Sequence, residues 1–128
     1  MMMEVSFPGG VAVEATFRGH TVRTDQPAPQ GTGSAMSPFD LLFASLATCM
    51  GFYALRFCQE RDIAIEGLGV KLRSERDEEK KRVAKVVVEL SLPKDFPEKY
   101  RTAILRAVDH CAVKRLVLDP PEFEIEIV

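Results

Sequence analysis

The chain carries three cysteines, two histidines and no tryptophan, so thiol, metal or acid–base chemistry must be assembled from few parts. Cys49 and Cys58 are nine residues apart inside one apolar run. If that run is helical, nine steps of about 100° put the two side chains on opposite faces, about 13 Å apart along the axis. An intact helix then cannot join them, because a disulfide needs Cα atoms within about 7 Å. Cys49 and Cys111 are separated by 62 positions and can meet only through the tertiary fold. Two thiols brought together in that way would serve a peroxide chemistry. A thiolate attacks the peroxide oxygen and becomes a sulfenic acid, and a second thiol condenses with it to a reducible disulfide. The competing reading is packing, since free cysteine is among the most buried residue types and behaves as a small hydrophobe. Position favours that reading most strongly for Cys58.

Other chemistries find less support. His110-Cys111 has no CxxC or HxxxH beside it and His20 is remote in sequence, so no metal site and no bound cofactor are expected. Gly31-Thr32-Gly33 ahead of a helix is a weak signal for an anion cradle, against an ordinary turn. No elbow motif anchors Ser-His-Asp hydrolysis. With Lys+Arg 17 against Asp+Glu 19, a net charge of −2 and a pI near 5.7, the chain lacks the basic surplus that nucleic-acid binding requires. An odd cysteine count suits reduced thiols better than a secreted disulfide framework. The start, MMMEVSFPGG, has neither a basic region nor an apolar core of the signal-peptide kind, so a cytoplasmic location is expected.

The elements that must position the thiols follow from pattern. A length of 128 residues with 46% hydrophobic and 28% charged composition is read as one globular domain, residues 1–128. Val11 to Phe17 and Thr21 to Thr24 are rich in β-branched residues and predict two or three short strands joined by tight turns. Asp25 to Met36, rich in Pro, Gly and Ser, predicts a loop. Ser37-Pro38-Phe39-Asp40 reads as a helix start, with a serine cap, proline at the first position and an acid facing the dipole. That helix should run to about Arg61. Its uncharged stretch Leu41 to Leu55, at roughly 22 Å, falls short of a bilayer core of roughly 30 Å, so a buried helix is expected rather than a membrane span. Apolar residues occur all around it, which demands cover on nearly every side and suggests that a second subunit supplies part of it.

Downstream the period changes to two. Val70 to Arg73 and Val83 to Leu92 predict hairpin strands around a solvated charged loop, Glu75 to Arg82. Glu98 to His110 predicts an amphipathic helix with Ile104, Leu105 and Val108 inward, and Phe123 to Val128 alternates as a closing strand would. The class is α+β without repeats.

The run from Gly31 through Ser37-Pro38-Phe39-Asp40-Leu41-Leu42 to Cys49 closely resembles the hallmark of the OsmC/Ohr family: a Gly-rich loop, Ser/Asn-Pro, an acid, Leu-Leu, small residues and a cysteine. His110-Cys111-Ala112-Val113-Lys114 resembles its second segment, usually Cys-Pro followed by an apolar residue. The resemblance implies an OsmC-like fold, with the long central helix packed between antiparallel sheets in an intertwined homodimer. It also implies thiol-dependent reduction of organic hydroperoxides by a dithiol reductant, as an oxidative-stress defence, with Cys49 peroxidatic and Cys111 resolving. Leu46, Met50 and Tyr53 around Cys49 would favour alkyl over hydrogen peroxide. The alternative is a non-catalytic dimer that binds a hydrophobic ligand or senses redox state in the same pocket. The sequence departs from the best-characterised members in having Phe39 where they carry a glutamate. The acid is Asp40 one step later, and no arginine follows Pro8-Gly9-Gly10, leaving Arg18 or Arg23 with Asp40 as candidates to support the thiolate.

Overall fold

The computed structural model describes residues 1–128, which divide into two compact units, residues 1–44 and 45–128, with the boundary inside the long helix. The first unit is a three-stranded antiparallel sheet of β1 (Glu4–Gly9), β2 (Ala12–Phe17) and β3 (His20–Thr24) in the order β1-β2-β3. Arg18 and Gly19 both have positive φ (49° and 78°), the conformation that lets a two-residue turn match the twist of the strands it joins. Residues 25–36 form neither strand nor helix, as their composition predicts, and the backbone N–H of Asp25 closes the loop on the carbonyl of Met36 at 3.3 Å.

Helix α1 spans Pro38–Glu60. Its start is a reciprocal cap: the Asp40 N–H donates to Ser37 Oγ at 3.1 Å, and the Ser37 N–H donates to Asp40 Oδ2 at 3.2 Å. The expected all-round cover is not provided within the chain. Leu46, Met50, Ala54, Phe57 and Cys58 are buried, whereas Phe39 and Phe52 are more than half exposed. A small hairpin and two short helices cannot enclose a cylinder on every side. The length argument also changes, because all 23 residues of α1, with mean hydropathy 1.6 over its most apolar window, are long and apolar enough to cross a membrane.

In the second unit, β4 (Gly69–Asp77) and β5 (Arg82–Ser91) form an antiparallel hairpin. The ladder runs further than expected: Glu75, Arg76 and Asp77 pair with Lys85, Val83 and Arg82, and only residues 78–81 turn. Opposite charges explain the extension, with Glu75 facing Lys85 and Arg73 reaching Glu89 at 3.1 Å and Glu75 at 2.7 Å. A single 3-10 turn, Glu98–Tyr100, leads into α2 (Arg101–Asp109). Ile104 and Val108, four residues apart, share its buried face; Leu105, rotated by about 100°, is 59% exposed rather than inward. A further helix, α3 (Ala112–Leu118), follows at once. Phe123 to Val128 does not form the expected strand, and Phe123, Ile125 and Ile127 stand in solvent. Alternation supplies a face, but a strand also needs an adjacent backbone edge, and no segment of the chain pairs with this one.

The candidate dithiol site

Two helices bring the site together within the second unit. Cys49 lies on α1, half-buried, and Cys111 occupies the N-cap of α3, fully buried. With φ −49° and ψ 118°, Cys111 breaks the helical path that α2 had followed. Its Sγ accepts the N–H of Lys114 at 3.4 Å, as a serine or aspartate cap would. Lys114 in turn ion-pairs with Asp109 across the same turn. The first N–H groups of α3 have no partner of their own inside the helix.

Those groups converge on Cys49. Burial works against its thiolate, but the N–H of Val113, the thiol of Cys111, the N–H of Ala112 and the charge of Arg115 together outweigh it, and its pKa falls below the ordinary thiol value. Cys111 moves the other way: burial raises it, and so does the hydrogen bond it shares with Cys49, while the N–H groups of Lys114 and Val113 only moderate the rise. The two thiols are thus made unequal: Cys49 is the more acidic, and Cys111, the less acidic, donates to it. Both thiols are free, so the arrangement is the reduced dithiol. Cys58 is also free, but it is fully buried and its pKa is raised by that burial against a modest opposing pull from Arg61, which makes it a packing residue.

The residues that anchor this site were not all visible in the sequence. Ala112, Val113 and Arg115 supply the donors and the charge, and the readable signal for them was a cysteine standing where a helix cap would stand. Arg18, Arg23 and Asp40 belong to the first unit, each with a local partner. Arg18 lies 5.0 Å above the Phe17 ring, Arg23 faces Glu14 across the strands at 3.5 Å, and Asp40 caps α1. Leu46 and Met50 line an apolar cavity of about 430 Å³ together with Leu72, Val88, Leu90 and Val108, while Tyr53 faces a different groove. His20 and His110 are both exposed.

The Gly31-Thr32-Gly33 signal has a definite outcome. The loop does cradle an anion, and the anion is the chain's own Asp25. Asp25 Oδ2 accepts the hydroxyls of Ser34 at 2.7 Å and Thr32 at 2.8 Å and their N–H groups at 3.0 and 3.3 Å, and Oδ1 accepts the Gln26 N–H at 2.8 Å. The donors from Ser34, Thr32 and Gln26 hold this carboxyl far below the usual carboxylate range. A Cβ built on Gly31 would lie 2.3 Å from the Gln26 carbonyl oxygen and 2.5 Å from Asp25 Oδ1, so the loop can close only with glycine there.

Comparison with known proteins agrees with this architecture. The family model for OsmC-like proteins matches residues 31–126. Among solved structures, a Psychrobacter arcticus protein described as a candidate osmotic-stress-induced and detoxification response protein superposes with a TM-score of 0.75 at 24% identity, covering 90% of this chain and 86% of its own. An OsmC-like protein of Mycoplasma pneumoniae gives 0.70 at 14% identity over 93% of this chain and 87% of its own. The organic hydroperoxide resistance protein OhrB of Bacillus subtilis gives 0.51 at 20% identity over 91% and 90%. A sequence comparison with curated proteins returns no match. The family match spans about three quarters of the chain, and with the long helix and the antiparallel sheets it establishes that the chain belongs to the OsmC-like family.

Proposed function

We propose that the chain is a thiol-dependent reductase of organic hydroperoxides acting in oxidative-stress defence, with Cys49 as the attacking thiolate and Cys111 as the resolving thiol. One observation carries the reading: an acidified thiol on α1 accepts hydrogen bonds from the first N–H groups of α3 and from the thiol of the residue that caps that helix. The Cys49 sulfur attacks the terminal oxygen of the hydroperoxide, the O–O bond breaks, and the departing alkoxide takes up a proton to leave as the alcohol. Cys49 is then a sulfenic acid. The Cys111 sulfur displaces its hydroxyl as water, forming the disulfide, and an external dithiol reduces that bond and returns both thiols. The apolar cavity beginning at Leu46 and Met50 supports an organic rather than an inorganic peroxide. The OhrB relative is itself named for organic hydroperoxide resistance.

The working unit in this proposal is a cytoplasmic homodimer. Exposed Phe39 and Leu42 on α1 and the unpaired, alternating Phe123–Val128 segment are the surfaces a second copy would cover. Membership of a family of generally soluble proteins supports reading α1 as a core helix of that dimer rather than a membrane span.

The test is consumption of cumene hydroperoxide with dithiothreitol. Wild type should turn over, Cys49→Ser should lose about a thousandfold or more, and Cys111→Ser should accumulate a sulfenic acid trappable with dimedone. Wild-type turnover no faster than that of Cys49→Ser would overturn the reading.

A further inference from the structure

A second cavity in the same unit has a different chemistry. The open groove between the C-terminal half of α1 and α2 has a volume of about 760 Å³, within the range of small-molecule sites. Four permanent cations line it, Arg56, Arg61, Lys99 and Arg106, against a single carboxylate, Glu60. That surplus is local, for the whole chain carries a net charge of −2. Arg56 is already engaged with Glu60 at 3.1 Å, whereas Arg61, Lys99 and Arg106 have no carboxylate partner. Two of these heads are held in place by aromatic rings: the Arg61 guanidinium lies 3.6 Å from the Phe57 centroid and donates to the Phe57 carbonyl at 3.2 Å, and the Lys99 ammonium lies 5.0 Å from the Tyr100 centroid. Ala103 and Ala107 on successive turns of α2 leave room between the helices, and Phe52 and Tyr53 form an apolar wall opposite.

We propose that this groove is a binding site for an amphipathic organic anion, a carboxylate or phosphate carried on an apolar body. The head would sit among Lys99, Arg61 and Arg106, and the body would lie on Phe52 and Tyr53. A guanidinium donates bidentately to either head. A second copy of the chain does not suit the groove, because an isologous contact would oppose these cations with their own kind. The proposal stands independently of the thiol chemistry, since it needs neither cysteine.

The experiment titrates the full-length protein with 4-phenylbutyrate, with phenethyl phosphate and with 4-phenylbutanol as the uncharged control, read by calorimetry and by amide shifts in isotope-labelled protein. At least one of the two anions should bind saturably, at least tenfold more tightly than the alcohol, shift amides within residues 52–61 and 99–110, and weaken as salt is raised. The tighter anion identifies the head group. The Lys99→Gln, Arg106→Gln double variant should lose about tenfold or more in affinity with its melting temperature retained, and Cys49→Ser should bind as wild type. Equal binding of anions and alcohol, shifts confined to other residues, or wild-type affinity in the double variant would each overturn the proposal.

Discussion

Two places in this chain gather hydrogen-bond donors onto one acceptor, and they are built for opposite ends. In residues 25–36 the acceptor is a carboxylate, its donors come from Gln26, Thr32 and Ser34, and all lie within nine residues of it. At Cys49 on α1 the acceptor is a thiol, and its donors come from the α2–α3 turn, more than sixty residues away. The carboxylate is ionised at every physiological pH, and its own chain supplies all five of its donors. The thiol has an acidity that depends on a few donors opposing burial, so its charge state can be tuned and its sulfur can react. Saturation marks the first as structural, whereas the second is a balance that can tip, which is what the proposed chemistry requires.

That contrast is broken most severely at Asp25. Asp25→Ala should strand the five donors of the loop and cause the largest drop in melting temperature of the variants discussed, and Asp25→Asn a smaller one. The pH dependence follows from the direction of the shift. The folded-state pKa is depressed, so the stabilisation is present above the unfolded-state value near 3.8 and is lost as pH falls below it toward the folded value. Acid unfolding monitored by circular dichroism should therefore steepen below about pH 4 in wild type and flatten in Asp25→Asn. Gly31→Ala comes next. It forces a methyl group onto the Gln26 carbonyl, and an overpacking cost of about 1 to 3 kcal/mol should appear as a shifted denaturant midpoint.

How much was legible in advance divides along the same line, between what neighbouring residues decide and what distant ones decide. The Ser37–Asp40 cap, the β2–β3 turn and the strands of the hairpin were readable because each depends on contacts a few positions apart. The partition of the cysteines into a possible pair and a spectator was readable from helical rotation. The donors of Cys49 were not, since Ala112 and Val113 have no chemistry of their own and matter only because Cys111 interrupts the helical path and turns their N–H groups toward another helix. Phe123–Val128 failed for a related reason, in that alternation specifies a face but not a partner edge. The Gly31–Gly33 loop signalled anion binding correctly and could not reveal that the anion was six residues upstream.

The chemical half of the comparison is sharpened by removing one donor at a time. Cys111→Ala deletes the thiol that donates to Cys49, and alkylation of Cys49 by iodoacetamide at neutral pH should slow about tenfold, the size of one hydrogen bond to a charged acceptor. Cys111→Ser keeps a hydroxyl donor and should fall between that variant and wild type.

The finest cut is Ala112→Pro. This position follows Cys111, where the family pattern that the sequence resembles usually carries proline, and here alanine adds a backbone N–H that a proline cannot offer. Proline is well tolerated at the first position of a helix, since its fixed φ suits the turn and its missing N–H has no intrahelical partner to lose. The substitution should therefore leave α3 and the melting temperature close to wild type while it takes one donor from the Cys49 thiolate. Because the N–H of Val113, the Cys111 thiol and Arg115 remain, alkylation at neutral pH should slow by only about threefold, with its pH midpoint moved upward. An unchanged alkylation profile in a folded Ala112→Pro protein would mean that the Ala112 N–H does not hold the thiolate, and the acidity of Cys49 would then have to come from the Val113 N–H, the Cys111 thiol and Arg115.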